Sequence, residues 1–595
     1  MILQALTNYY EKLLEQGKVD APGWDKTFKV SFELRINDSG ELVQVVDLRT
    51  SVQKGKKSVL APREISVPVH GKRSSGISAN FLCDTSSYML GADEKGKSAD
   101  KEDESGRSVR CFEAARTLHH ELLDDKDSPA ARAILAFFDN WDPSCAKAHP
   151  QIEPKWKDIA ASANLLFGYE DANHKHYLAT EDQVIRDAWQ EYHSNASAEG
   201  DEMQCLVTGK KEHIARLHPN IKGVWGAQSS GASIVSFNAP AFCSYGYEQG
   251  ANAPVSEYAA NAYTTALNYL LANDTLCRHM GDTTVVCWAE NASSSYQSLG
   301  MMGLFGADKA SGISEEDVAA VLKRISEGKA CNWEDEELQP GQHFYILGLA
   351  PNASRLSVRF FIRDTFGEYA RHLQQHRDAL EIVCPANKDS RYLSVWALAM
   401  ETVNRNERNP SPSPQLAGDL LRAILTGGRY PATLINGVEI RIRAEQDITY
   451  GRAAIIKAYY IRNGSNNKQS KEVLTVKLNE ESNYVPYVLG RLFAVLEAVQ
   501  EAANPGINTT IRDRYFSSAC ATPAMVFPTL INLVQKHLGK LKEGQEIYYN
   551  RQISELLSKL TEDYPAHLSL PEQGSFQIGY YHQTQKRYTK KTEEE

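Results

Sequence analysis

Apolar residues at the start of the chain recur at helical intervals. Ile2, Leu3, Leu6, Leu13 and Leu14 lie within Met1–Glu15, with Glu11, Lys12 and Glu15 between them, which predicts an amphipathic helix and not a secretory leader. The period then changes to two. Phe28-Lys-Val-Ser-Phe-Glu-Leu-Arg-Ile36 alternates apolar with polar, Asn37-Asp-Ser-Gly40 carries turn chemistry, and Glu41-Leu-Val-Gln-Val-Val-Asp47 resumes the alternation, as in a β-hairpin. Glu64–Val69 predicts a further extended piece, and Lys54-Gly-Lys-Lys57 and His70–Ile77 predict loops. Helical spacing dominates from Val109 to about His193, broken near Asp142-Pro143 and His149-Pro150.

Between Cys205 and Leu271 glycine, serine and asparagine crowd a short run (Lys222-Gly-Val-Trp-Gly-Ala-Gln-Ser-Ser-Gly231) ahead of a predicted strand, Ser233–Phe237, and a predicted helix, Ser256–Leu271. Such glycine density lets backbone approach a ligand closely. Gln342–Leu349 and Arg355–Arg363 predict two buried strands. Beyond them the spacing is helical over Phe366–Val383, Tyr392–Thr402, Gln415–Leu425, Thr449–Arg462, Tyr487–Ala503, Thr510–Ala519, Ala524–Leu541 and Gln545–Glu562. Asn409–Pro414 and Asn463–Asn467 predict linkers, and Val488, Leu492, Val495, Leu496 and Val499 form the stripe of a terminal bundle. The fold class is therefore α+β. A mixed α/β region with a small β-rich part covers 1–365, a helical region 366–470, and a helical bundle 471–595, with no internal repeat.

Composition narrows the function. At 595 residues, 42% hydrophobic and 24% charged, the chain is ordinary globular material with room for several domains. A formal net charge of −10 excludes a basic coat for indiscriminate nucleic-acid binding but leaves room for local patches. Positive charge concentrates at Lys54, Lys56, Lys57, Arg63, Lys72 and Arg73. The 10 cysteines include no C-x-x-C pair, so they point to reduced thiols in a cytosol rather than a zinc knuckle or disulfide scaffold. No uncharged apolar run is long enough to cross a bilayer, so no membrane partner is expected.

Candidate chemistry begins with Gly91-Ala-Asp-Glu-Lys-Gly-Lys-Ser98, which satisfies G-x-x-x-x-G-K-[ST] and raises the alternative of an NTP-dependent enzyme. A working phosphate loop follows a strand and opens a helix. Ser87–Leu90 could supply the extended part, but the charged stretch after Ala99 offers nothing to anchor a helix, and carboxylates from Asp93 to Glu104 would repel an anion. Ala227-Gln-Ser-Ser-Gly231 has the form of a nucleophile elbow around Ser229, yet the strand is predicted after it instead of before. His119-His120-Glu121 and Asn173-His-Lys-His176 lack the further ligands of a metal site. No catalytic residue, metal or cofactor is called for. The glycine and serine loop with its embedded amide, beside short basic loops, suits site-specific binding of a polyanion; solvated surface charge is the plain alternative for Lys72 and Arg73.

These same residues carry a resemblance. Arg73-Ser-Ser-Gly-Ile77, Asn80-Phe-Leu-Cys-Asp84, Tyr88-Met-Leu-Gly91, Leu217–Gly223 through Ser236-Phe-Asn238, Ser244-Tyr-Gly246, Leu347–Asn352, Arg355–Arg359 and Phe576–Gln583 resemble the Csd-type large subunit of the type I-C CRISPR interference complex, Cascade. The resemblance implies a non-catalytic, cytoplasmic subunit that inspects the protospacer-adjacent motif in duplex DNA, helps open the strands into an R-loop and docks the helicase-nuclease. Its implied partners are a guide-RNA particle with backbone, handle-capping and small subunits, the target duplex and the displaced strand. Related large subunits read the motif with a loop, largely from the minor groove, and part the strands with a wedge. By that analogy Lys72, Arg73, Ser74 and Ser75, assisted by Asn80, are the motif-sensing candidates. Gln228, with Ser229 and Ser230, is the strand-separating candidate, and Lys222, Lys54, Lys56 and Lys57 are phosphate contacts. The resemblance further implies that the bundle is also made separately as a small subunit, by internal initiation near Val473, Leu474 or Val476.

Overall fold

The computed structural model describes residues 1–54, 57–71, 76–93, 106–161, 163–196, 202–273, 275–307, 312–386, 388, 391–464, 468–561 and 563–588. About 49% of the chain is helix and 17% strand, with the sheets in the N-terminal half and helices in the C-terminal part, an α+β fold. Residues 1–219 and 235–267 form one compact unit and residues 220–234 and 268–595 another.

In the first unit the amphipathic helix α1 (Ile2–Glu15) buries Leu6, Tyr9, Tyr10 and Leu13 along one face. The alternating run after it divides at Ser31 into β1 (Trp24–Val30) and β2 (Phe32–Ile36), which take different partners. β2 makes the predicted hairpin with β3 (Leu42–Asp47), and Asn37 Oδ1 fixes the turn by accepting the N–H groups of Ser39 (3.1 Å) and Glu41 (2.9 Å). β4 (Thr50–Lys54) and β5 (Lys57–Ala61) form a ribbon paired only with itself among the described residues, while β6 (Arg63–Pro68) pairs with β1. β7 (Cys83–Thr85) leads into a four-residue helix, α2 (Ser86–Met89), where extended chain was expected at Ser87–Leu90.

Helices α3 (Arg107–Leu123), α4 (Pro129–Asn140) and α5 (Trp156–Ala160) precede β8 (Asn164–Glu170), β9 (His176–Leu178) and α6 (Gln183–Ala196). β8 is the strand that the sequence pattern hid. It runs parallel to β2 at the centre of a sheet ordered β3-β2-β8-β7, with β9 on its far half. Its apolar run is buried on both faces, which gives the same pattern as a buried helical segment. Phe32, Leu34 and Ile36 pack with Leu165 and Phe167 in the core. Glu33 on β2 is buried, accepts from Arg35 Nε (3.0 Å) and lies 2.6 Å from His176 Nε2. Gly168 makes the room, because a Cβ there would meet Glu33 Oε1 at 2.2 Å. A small hairpin, β10 (Glu202–Gln204) with β11 (Lys211–His213), and α7 (Glu257–Leu271) follow.

The second unit is built on an antiparallel sheet ordered β12 (Cys277–Met280), β13 (Thr283–Ala289), β16 (His343–Asn352) and β17 (Arg355–Thr365). Helices α8 (Ser294–Phe305) and α9 (Glu315–Ser326) and the hairpin of β14 (Cys331–Trp333) and β15 (Glu336–Leu338) interrupt it in sequence. Then come α10 (Phe366–Leu380), α11 (Val395–Met400), α12 (Pro414–Leu425), α13 (Ala432–Glu445), α14 (Tyr450–Asn463) and α15 (Lys468–Lys471). The terminal set is α16 (Val485–Ala503), α17 (Ile511–Ala521), α18 (Pro523–Leu538), α19 (Glu543–Ser558) and α20 (Leu570–Lys586). α13 and α20 were not predicted. The predicted strand Ser233–Phe237 does not form. Ser233 makes a single parallel bridge to Arg355, and the run then passes from the second unit to the first after Ile234.

One apolar core runs from Met280 to Tyr581 and is continuous past residues 365 and 470, the boundaries expected from sequence. α16 is buried almost throughout, and its closest neighbour is α20. The two backbones touch: a Cβ at Gly490 would lie 1.9 Å from the Phe576 carbonyl oxygen, and one at Gly579 2.2 Å from that of Tyr487. Polar links tie the pair, with Tyr580 donating to Glu497 (2.6 Å) and Arg491 Nε to Gln583 (3.1 Å). Gly490→Ala or Gly579→Ala forces the helices apart and is expected to cost at least about 1–3 kcal/mol, read as a lower thermal midpoint. The double variant should cost less than the two added together, because one separation relieves both clashes; unchanged midpoints would refute the close crossing.

Candidate nucleic-acid interface

Lys72, Arg73, Ser74 and Ser75 lie outside the described residues, as does Lys56, and the side chains of Lys54 and Lys57 are not described. The stalk of the first loop is on view. Asn80 is buried, with 7% of its surface exposed, so its side chain faces the protein. Its Oδ1 accepts the Gly71 N–H (3.1 Å), and its own N–H donates to Asp84 Oδ2 (2.9 Å). The other end is held by Arg107, which donates to the Gly76 carbonyl at 3.3 Å. Behind this stalk Leu82 takes a left-handed conformation (φ 62°), stabilised by its N–H donating to His119 Nε2 (3.0 Å). His119 is fully buried, and its Nδ1 lies 2.7 Å from the Ala115 carbonyl. That pairing fits a neutral ring with the proton on Nδ1. Burial pushes the imidazole down to about 4.

The second loop is described throughout. It begins and ends on the bridge between Ile221 and Ala232. Asn268 spans its base: Oδ1 accepts the Lys222 N–H (2.8 Å) and Nδ2 donates to the Asn220 carbonyl (3.2 Å). Asn220 Nδ2 reaches across to the Ser230 carbonyl (3.0 Å). On β13, Thr284 Oγ1 accepts the Trp225 N–H at 3.0 Å. Two turns complete the path, Ala227 N–H to the Val224 carbonyl (3.1 Å) and Gly231 N–H to the Gln228 carbonyl (2.9 Å). Gly226 (φ 76°) and Gly231 (φ 94°) sit where L-residues are strained, which is why the loop needs them. The side chains of Lys222, Gln228, Ser229 and Ser230 are all exposed. Trp225, which the sequence reading passed over, is 59% exposed and lies flat on His279, with ring centroids 4.4 Å apart and planes 7° apart.

The remaining motifs find structural places. The segment before Gly91 is helical, so the strand that a phosphate loop needs is absent there, and residues 94–98 of the motif lie outside the described residues. Ser229 sits on a turn with neither a strand before it nor a helix after it. His120 pairs with Asp124 (2.8 Å) and Asp139 (3.1 Å); partial burial opposes its charge, but these carboxylates hold the imidazolium above its usual range. His174 pairs with Glu170 at 2.7 Å. Among the described residues no group of three or more His, Cys, Asp or Glu side chains could hold a metal ion, and no helix is long and apolar enough to cross a membrane. All 10 cysteines are free thiols.

Among the described residues the loop 221–232 is exposed and tethered at its base, on a non-repetitive α+β scaffold. Residues 6–588 match the family described as CRISPR-associated protein (Cas_Csd1), so the chain belongs to that family. Its members are large subunits of Cascade and are not known as enzymes. No curated protein matches the chain.

His119 sets a pH test of the stalk. Its folded value lies below the ordinary 6.5 because the buried ring stays neutral, so the unfolded chain takes up a proton that the folded chain refuses. Stability is intact above 6.5 and falls as pH drops toward 4. His119→Gln should flatten that fall by up to about 1.4 kcal/mol per pH unit, measured by denaturant unfolding between these limits. An unaltered slope would mean that the ring is solvated.

Proposed function

We propose that this chain is the DNA-inspecting large subunit of a type I-C Cascade. It senses the motif beside the target in duplex DNA, promotes strand separation and R-loop formation, and recruits the helicase-nuclease. The observation that carries the reading is the family match over residues 6–588. The exposed, rigidly tethered loop bearing Lys222, Gln228, Ser229 and Ser230 supports it from the geometry.

The physics of the division of labour is direct. Pairing with guide RNA carries the spelling of the target, so protein need only recognise a few base pairs and hold backbone. A net charge of −10 is compatible with that task when cations are local. In this reading Lys72 and Arg73 contact phosphate or a base edge, Ser74 and Ser75 add short hydrogen bonds, and Asn80 serves by holding the stalk at Gly71. The β4–β5 ribbon, paired only with itself among the described residues, is an element that a major groove admits; Lys54 and Lys57 form its last described pair, and Lys56 lies between them in sequence. Gln228 parts the strands while Lys222 neutralises a phosphate. The guide-RNA particle, its other subunits, the displaced strand and the helicase-nuclease are the partners, in the cytoplasm. A separately initiated bundle starting near Val473 would keep α16–α20 together. It would uncover the α20 surface that α14 and α13 occupy, where Tyr460 donates to the Leu570 carbonyl (2.9 Å) and Gln577 to Glu439 (2.9 Å).

The test uses the complex purified with guide RNA and two duplexes that differ only in the motif. Wild type should bind the motif-bearing duplex more tightly, and equal binding would end the reading. Lys222→Ala should weaken both duplexes alike and lower the salt slope, d log K/d log[salt], by about 1, while Lys54, Lys56 and Lys57→Ala together should lower it by up to about 3.

A further inference from the structure

We propose that Trp225 is a stacking platform for one unpaired base of the opened DNA, so that its loop holds a separated strand as well as parting it. This rests on the reading that the chain inspects and opens duplex DNA.

The indole is presented in a way that a packing residue is not. The ring lies on the His279 imidazole with planes 7° apart, and the residue is still 59% exposed. Its backbone is tethered on both sides of the ring's attachment. The Trp225 N–H is bonded to Thr284 on β13, and at the next residue a Cβ on Gly226 would come within 3.3 Å of Pro351, at the end of β16. The loop base is closed by Asn268 and Asn220. A flat aromatic surface is thus fixed in orientation before any ligand arrives, which removes the ordering cost that a mobile side chain would bring to binding.

The chemistry around it selects the ligand class. A nucleobase supplies a π face matched to an indole, and stacking of this kind tolerates any base. Lys222, three residues before, supplies a cation for the phosphate of the same nucleotide, and Gln228, Ser229 and Ser230 offer donors and acceptors to its edges. Within paired duplex a base already stacks on both neighbours, so the platform gains a ligand only after the strands part. It therefore acts downstream of the Gln228 wedge, and the two roles separate experimentally.

The complex purified with guide RNA and carrying Trp225→Ala, Trp225→Phe or Gln228→Ala is measured against a closed target duplex and one pre-opened by mismatches beside the motif. Trp225→Ala is expected to lose about 5- to 100-fold in affinity, the range for a single stacked base, on closed and pre-opened targets alike, and Trp225→Phe to keep most of it. Gln228→Ala should recover on the pre-opened target. With 2-aminopurine placed at successive positions beside the motif, one position should be quenched in wild type and brighten in Trp225→Ala. The platform is overturned if Trp225→Ala binds like wild type, if pre-opening erases its defect, or if the variant sheds a partner subunit, which would make the ring a protein contact. Absence of motif-dependent binding in wild type overturns the underlying reading instead. Circular dichroism and an unshifted thermal midpoint confirm that each variant is folded.

Discussion

Glycine leaves two backbones bare at the crossing of α16 and α20, and the second unit is stacked outward from that contact. α20 packs on α14 as well, and α14 on α10. Lys457 on α14 is buried and donates to the carbonyls of Asp378 (3.3 Å) and Ala379 (3.0 Å) in the last turn of α10, where a cation meets the negative end of the helix dipole. α10 in turn covers β16 and β17. The sheet so supported carries Thr284 and Pro351, which hold the Trp225 loop. A continuous series of packed layers thus runs from α20 to the sheet that carries this surface loop.

The two candidate loops share a device although they belong to different units. Among the described residues, the base of each is fastened by the carboxamide of an asparagine, Asn80 at Gly71 and Asn268 at Lys222 and Asn220. A carboxamide substitutes for the ladder bonds that a loop's backbone lacks, so short polar segments stay ordered without apolar burial. In the second loop the side chains of Lys222, Gln228, Ser229 and Ser230 are left exposed. Lys222 is an exposed local cation there, and an overall negative charge does not by itself conflict with a polyanionic ligand.

Much of this was readable in sequence, and the failures have physical causes. α1 follows from periodicity because it has one wet face, the β2–β3 hairpin from alternation and turn chemistry, and β16 from a long apolar run bounded by polar residues. β8 is dry on both faces, and its run of Leu165, Leu166 and Phe167 carries no period. Within α13, Val438-Glu-Ile-Arg-Ile-Arg443 alternates as a strand does, yet the segment is helical because Leu434, Val438 and Ile442 pack in the core. α20 buries Gln577, His582 and Gln583 as well as Phe576 and Ile578, each of the three polar side chains bonding a partner distant in sequence, so it shows no apolar stripe. Trp225 escaped notice for the same reason: its meaning depends on His279, which only folding places beneath it. Asn80 was legible as polar and near the loop, but its burial was not.

The interleaving of the two units in sequence bears on how the protein is made. Residues 220–234 leave the ribosome before β13 and β16 exist to receive them, and the first unit stays incomplete until residue 267 has emerged. Strict N-to-C completion of domains is therefore unavailable to this chain. The waiting segment is rich in glycine and serine and holds few β-branched residues, a composition with little tendency to pair with other nascent strands. The same small residues that shape the finished loop thus also lower the pairing tendency of the segment while it waits.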